Sequence, residues 1–138
     1  MFNELKILEL SNVLAGPAVG MFFAELGAKV FKVENKLSNG DITRNWKLPS
    51  EKKEDLSAYF CSVNYNKKRI FLDFNDKEDA LEIEKLIKEC DIIITNFKEG
   101  DAEKFNLDFE SCKTIKSDII YAHIGGFKSN PKRVAFDI

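Results

Sequence analysis

The residues best suited to chemistry begin with Asn12-Val13-Leu14-Ala15-Gly16-Pro17, followed by Gly20. Pro17 fits the first turn of a helix, where its missing N–H would be unpaired in any case. A strand-to-helix loop of this kind is where open parallel sheets hold ligands, beside helix N-termini. Glu34 follows Gly16 at about the spacing at which an acid grips a ribose hydroxyl. A nicotinamide dinucleotide site is nevertheless disfavoured. There is no GxG, and Pro17 stands where a close phosphate approach calls for glycine. Gly16 and Gly20 read first as tight strand–helix packing.

Two further stretches carry cations beside amides. Asn64-Tyr65-Asn66-Lys67-Lys68-Arg69 could bind phosphate. On composition a solvated edge ahead of a strand, or a charged edge that blocks aggregation, is the better reading. Asn96-Phe97-Lys98-Glu99-Gly100 combines a stacking ring, an amide and a cation, a set suited to a nucleotide, and Lys104 adds a second positive charge about one turn later. An ordinary loop is an equal reading. His123 shares a strand face with Tyr121 and Gly125, with no serine or cysteine nearby in sequence, so a structural role fits it better than a catalytic one. No nucleophile stands beside a base.

The elements that must position these residues follow from periodicity. Leu5–Leu10 alternates apolar and polar residues, a strand pattern. Val19, Phe22, Phe23 and Leu26 recur at helical spacing, and Gly27 suits the helix C-terminus. Ala28–Val33, closed by Glu34, is a second strand, so residues 5–34 read as a βαβ unit. Residues 35–57 lack periodicity, hold Trp46, and form a connection long enough to be functional or mobile. Arg69–Phe74 is a third strand. Ala80, Ile83, Leu86, Ile87 and Cys90 mark a helix. Asp91–Thr95 is the kind of β-branched run found in strands buried on both faces. Short helical stretches near Ala102 and over Phe109–Ile115 precede a fifth strand, Asp118–Ile124. The alternation predicts an α/β fold, a Rossmann-like open parallel sheet flanked by helices.

Composition narrows the partners. The chain has 138 residues, 21 basic and 23 acidic, with 44% hydrophobic side chains. That length suits one domain with a real core. The slight acidic excess argues against nucleic acid or an anionic membrane. No apolar run approaches the ~20 residues of a membrane span. The opening residues do not resemble a signal peptide, so a cytoplasmic location is expected. Cys61, Cys90 and Cys112 carry no CxxC and are expected to be reduced packing residues. With a single histidine, no metal site is expected.

At these same loops the sequence resembles the class III CoA-transferases, a family that includes formyl-CoA and carnitine CoA-transferases and the α-methylacyl-CoA racemases. The matching stretches are LKILELSNVLAGP, LGAKVFKVE followed by NGDITR, SAYFCSVNYNKKRIFLDF, DIIITNFKEG, and SDIIYAHIGGF with a later AFDI, from Leu5 to Ile138. The resemblance implies that residues 1–138 are the CoA-binding Rossmann-like part of a larger two-domain chain, whose full-length form is a homodimer of interlocked rings. It implies coenzyme A contacts at Leu14 and Ala15, at Asn35, at Leu72, Asp73, Phe74 and Asn75, and at Asn96, Phe97, Lys98 and Lys104. Asn35 stands where the family often has arginine or proline, and Asn75 where it often has lysine. Lys98 replaces an arginine and so loses bidentate phosphate binding.

The implied activity moves CoA from an acyl-CoA to a free carboxylic acid through a covalent aspartyl intermediate, with no metal. The family's nucleophilic aspartate falls about thirty residues beyond its AFDI-like segment, past Ile138, so Asp137 does not match it and no catalytic residue is assigned. The apolar end Val134–Ile138 reads as a cut through a larger protein, and the fragment alone is expected to be inactive. Racemases carry a histidine before the aspartate matching Asp137. Phe136 stands there, which favours transfer over the alternative of α-methylacyl-CoA racemisation. A noncatalytic nucleotide-binding or interaction module is the remaining alternative.

Overall fold

The computed structural model describes residues 1–130 and 133. The strands are β1 (Lys6–Leu10), β2 (Lys29–Asn35), β3 (Lys68–Leu72), β4 (Ile92–Thr95) and β5 (Ile120–His123). The helices are α1 (Ala15–Glu25), α2 (Ala58–Asn64), α3 (Lys77–Glu89), α4 (Asp101–Lys104) and α5 (Phe109–Ile115). Short 3-10 turns cover Lys36–Ser38 and Ile42–Asn45. The five strands form one sheet in the order β3-β2-β1-β4-β5, and every pairing is parallel. The βαβ reading of residues 5–34 therefore holds. β4 is interior, between β1 and β5, but the sheet's centre is β1. Ile92 is only half-buried, while Ile93, Ile94 and Thr95 are buried.

This order has a physical consequence. The chain runs outward from β1 through β2 to β3, then crosses back over to β4 on the other side of β1. The connections after β1 and β4 thus part in opposite directions, and a crevice opens between them at the strands' carboxyl ends.

The two faces of the sheet differ. One is apolar throughout: Leu8, Leu10, Phe31, Val33, Leu72 and Ile93 pack against Ile83, Leu86, Ile87 and Cys90 of the α3 segment and Leu107 and Cys112 near α5. The other, under α1, holds Ile7, Val30 and Ile94 with Ala24 and Ala28. Glu9, Lys32 and Glu34 continue the alternation of that second face and are fully buried. Polar residues of β1 and β2 therefore do not mark a solvated side.

α1 meets the sheet through small residues. Its buried positions are Gly16, Pro17, Gly20 and Ala24. Val19 and Phe22, part of the apolar pattern that marks the helix, are exposed instead. The reason is close approach: a Cβ on Gly20 would lie 1.8 Å from Glu9 Oε2, and one on Gly16 would lie 2.3 Å from Ser11 Oγ. Gly27 has φ +99°, the left-handed position that ends a helix.

The connection 35–57 is anchored rather than loose. Asp41, Thr43 and Ser57 are buried. Asp41 caps the turn Ile42–Asn45 by accepting from Thr43 N at 3.1 Å, and Ser57 caps α2 by accepting from Phe60 N at 3.0 Å. The helix α2 carries no strong periodic signal in sequence, being only 7 residues long. Cys90 and Cys112 are buried as expected; Cys61 is exposed on α2, which corrects the packing reading for that residue. All three are free thiols. No helix among the described residues is long and apolar enough to cross a membrane.

Candidate functional site

A groove of about 1160 Å³ lies at the carboxyl ends of β1, β4 and β5. Asn12, Val13 and Ala15 form one wall, the β4 loop Asn96–Gly100 and the start of α4 a second, and Tyr121, His123, Ile124 and Phe127 a third. The two switch-point loops are clasped together. Asn12 N donates to Asn96 Oδ1 at 3.0 Å, and Asn96 Nδ2 donates back to Asn12 O at 2.8 Å. Both side-chain functions of one asparagine thus satisfy both backbone groups of the other. On the third wall Thr95 Oγ1 and His123 Nδ1 are 3.0 Å apart, and Tyr121 OH donates to Leu107 O at 2.7 Å. Burial pushes the Tyr121 hydroxyl above its usual pKa. The groove's charge is mixed: Lys98, Lys128 and Arg133 line it together with Glu99, Asp101 and Glu103.

Beneath this groove, under α1, lies a buried charge network that the sequence reading missed. Lys32 Nζ donates to Glu9 Oε1 at 3.0 Å and to Ser11 O at 2.7 Å, and stands 3.3 Å from Asp41 Oδ2. Lys67 Nζ donates to Glu9 Oε2 and to Pro17 O, both at 2.7 Å, and to Asn64 Oδ1 at 3.2 Å. Glu34 receives Arg44 bidentately, both contacts at 2.6 Å, and accepts from Asp41 N at 2.9 Å. The Arg44 guanidinium stacks 4.1 Å from the Phe60 ring centroid. Three carboxylates and three cations balance, as buried charge requires. Burial nonetheless pulls the Lys67 pKa down to about 8, against the attraction of Glu9.

Lys67 therefore corrects the reading of Asn64–Arg69 as a solvated edge: Lys68 and Arg69 are exposed, but Lys67 is buried. A signal was available in β1 and β2. A parallel sheet is covered on both faces, so a glutamate and a lysine in its inner strands must find each other.

The residues singled out for coenzyme A divide into two groups. Ala15, Asn96, Phe97 and Lys98 line the groove, and half-buried Leu14 lies between two of its wall residues. Phe74 reaches the same region through rings: its centroid lies 6.1 Å from Phe97 and 5.2 Å from Phe105. Lys104 is exposed on α4, its Nζ 5.1 Å from the Phe105 ring. The others do not line the groove. Asn35 Oδ1 accepts from Leu37 N at 2.9 Å, which caps a turn. Leu72 belongs to the apolar core. Asp73 Oδ1 accepts from Asn75 N at 2.9 Å, closing the turn after β3. Phe136 and Asp137 lie outside the described residues. Cys90 and Cys112 are poor nucleophiles, since burial raises their pKa to about 12 and about 11. Among the described residues no group of three or more His, Cys, Asp or Glu side chains could hold a metal.

Fold and crevice together define an open parallel α/β domain whose crevice lies at the switch point between β1 and β4, the place where sheets of this kind generally hold ligands. The comparisons with known proteins narrow this class. A family model described as CoA-transferase family III matches residues 2–138, and the chain belongs to that family. It is 39% identical over 129 residues to a succinate–glutarate CoA-transferase of Agrobacterium fabrum, across 91% of this chain and 32% of that protein. It is 35% identical over 129 residues to a formyl-CoA:oxalate CoA-transferase of Afipia carboxidovorans, across 94% of this chain and 30% of the relative. A crystal structure of a CAIB/BAIF family protein from Brucella suis superposes with a TM-score of 0.89 at 39% identity, covering 98% of this chain and 36% of that one. The chain thus spans about a third of the length of the relatives it matches.

Proposed function

We propose that this chain is the coenzyme A-binding part of a CoA-transferase that moves CoA from an acyl-CoA thioester to a free carboxylic acid. The observation that supports it best is the Asn12–Asn96 clasp, which sets a groove at the sheet's switch point within a chain of CoA-transferase family III. The nucleotide lies along the wall formed by Ala15, Asn96, Phe97 and Lys98, with Leu14, Phe74 and Lys104 beside it. Asn35, Leu72, Asp73 and Asn75 complete the proposed set at the ends of β2 and β3. Binding energy from the nucleotide, far from the reacting carbon, is then available to position the thioester.

The nucleophile in this reading is an aspartate beyond residue 138. Its carboxylate attacks the thioester carbonyl, giving an acyl–aspartyl anhydride and CoA thiolate. The thiolate attacks the aspartyl carbonyl, releasing the donor acid and leaving an aspartyl thioester. The acceptor carboxylate repeats the sequence in reverse. One hard exchange becomes several easier ones. The working form is a cytoplasmic homodimer. Exposed Ile120 on the edge strand β5 and exposed Val19 and Phe22 on α1 support a covered surface there.

The test compares the 138-residue chain with the same chain joined to the remaining two thirds of a relative. The expected result is CoA binding by calorimetry in both and transfer between an acyl-CoA and a free carboxylate in the joined protein alone. Transfer by the short chain at a similar rate would overturn the assignment of the nucleophile. No CoA binding by either protein would overturn the function.

A further inference from the structure

Val13 has φ +71°, in the left-handed region. The other non-glycine residues with positive φ among those described are Asn39, Asn66 and Asn106. Asparagine tolerates this conformation, whereas a β-branched side chain is strained by it. A strained residue persists only where its surroundings over-determine it. Here the surroundings are specific. Val13 N donates to Asp41 Oδ2 at 3.1 Å. Lys32 Nζ donates to Ser11 O at 2.7 Å. The two groups grip the backbone on either side of Asn12, and each is itself held. Asp41 Oδ1 accepts from Thr43 N and Thr43 Oγ1, at 3.1 and 2.8 Å, and the Lys32 ammonium is shared with Glu9. Asp41 and Lys32 are fully buried and do not themselves line the groove, whereas Val13, whose backbone Asp41 holds, does.

We propose that Asp41 and Lys32 are positioning residues that hold the β1–α1 loop from beneath, locking Val13 in its left-handed conformation so that Val13 and Ala15 form the wall against which the nucleotide binds. The ligand part of this inference rests on the function proposed above. The clamp itself rests on the loop. With the clamp present, the loop is already in its binding conformation and the ligand does not have to order it.

The experiment uses the chain itself, with coenzyme A as the probe. In wild type, NMR should show a strong intraresidue amide–Hα cross-peak for Val13, the signature of positive φ. Asp41→Asn keeps the side-chain shape but can no longer accept from both Val13 and Thr43 while facing Lys32. It should lose the Val13 signature and bind CoA about tenfold more weakly, as release of a strained left-handed residue implies. Adding Val13→Gly to Asp41→Asn should restore most of that affinity, because glycine takes the conformation without steric cost. If Asp41 were merely structural, the double variant would bind no better than the single one, and that result would overturn the proposal. So would a folded Asp41→Asn protein with the signature and affinity intact. If Asp41→Asn does not fold, the wild-type spectrum decides: a weak Val13 cross-peak overturns the clamp. A wild-type chain that binds no CoA speaks against the proposed function, while the Val13 spectra still judge the clamp.

Discussion

Asn12 and Asn96 are 84 residues apart and hydrogen-bond reciprocally, backbone N–H to side-chain oxygen and side-chain amide to backbone carbonyl. The pair ties the end of β1 to the end of β4 where the sheet's winding reverses. Asn96→Leu removes both bonds. Each is exposed, so the stability cost should be about 1 kcal/mol in total, near the low end for intramolecular hydrogen bonds. Loss of CoA affinity should be larger than loss of stability, since the groove wall is released. Calorimetry and urea denaturation of the same variant measure both. A large loss of stability with unchanged CoA affinity would remove the clasp from the site.

Lys98 lines the groove, whereas Lys104 is exposed on α4 beside Phe105. Both are solvated without ligand, so removing them should leave the fold within about 0.5 kcal/mol of wild type. A charge-assisted bond to phosphate is worth roughly 1.5–3 kcal/mol when desolvated. Lys98→Ala should therefore weaken CoA binding by about tenfold or more, and Lys104→Ala by less, in CoA titrations at low salt. Equal affinities for wild type and both variants would dismiss these lysines as phosphate contacts.

Gly20 is set by the carboxylate beneath it. A Cβ there would stand 1.8 Å from Glu9 Oε2 and 3.3 Å from Lys67 Nζ. Gly20→Ala must push a buried, doubly paired carboxylate off its partners, at about 3 kcal/mol or more. Gly100 gives the contrast. It has nothing within 4 Å of an added Cβ, and φ +87°. Gly100→Ala should cost only the conformational strain, roughly 1–2 kcal/mol. Unfolding curves that rank the two variants the other way would contradict the close approach of α1 to Glu9.

Lys67 makes stability depend on pH in a defined direction. Its folded pKa of about 8 lies below the ordinary 10.5, because burial outweighs the pull of Glu9. The unfolded chain then binds the proton more tightly than the folded one. The penalty is present in full below pH 8 and fades as pH rises from about 8 toward 10.5. The stability of wild type minus that of Lys67→Met should therefore increase across that window. Urea denaturation at a series of pH values measures it, and a difference that falls with pH would contradict the depressed lysine.

Much of this protein is local and so is legible along the chain. The period-two runs of β1 and β2, the helical stripe of α3, the glycine after α1 and the β-branched run of β4 dictate element types, because side-chain direction repeats with backbone geometry. The alternation of strand and helix dictates a parallel sheet, and the loop chemistry of Asn12–Pro17 and Asn96–Lys98 already lies at strand ends. What no spacing contains is which residues meet. Glu9, Lys32, Asp41 and Lys67 come from four separate segments, and only the order β3-β2-β1-β4-β5, with α1 lying close on one face, brings them within hydrogen-bond reach. A parallel sheet implies that Glu9 is covered, but the alternation of β1 does not say which cations it meets. How closely that face is covered was decided by the packing of small α1 residues against it. The same packing turned Lys67 from a surface cation into an internal one and left Val19 and Phe22 outside. The left-handed backbone of Val13 is likewise set by partners, since its own β-branched side chain disfavours it.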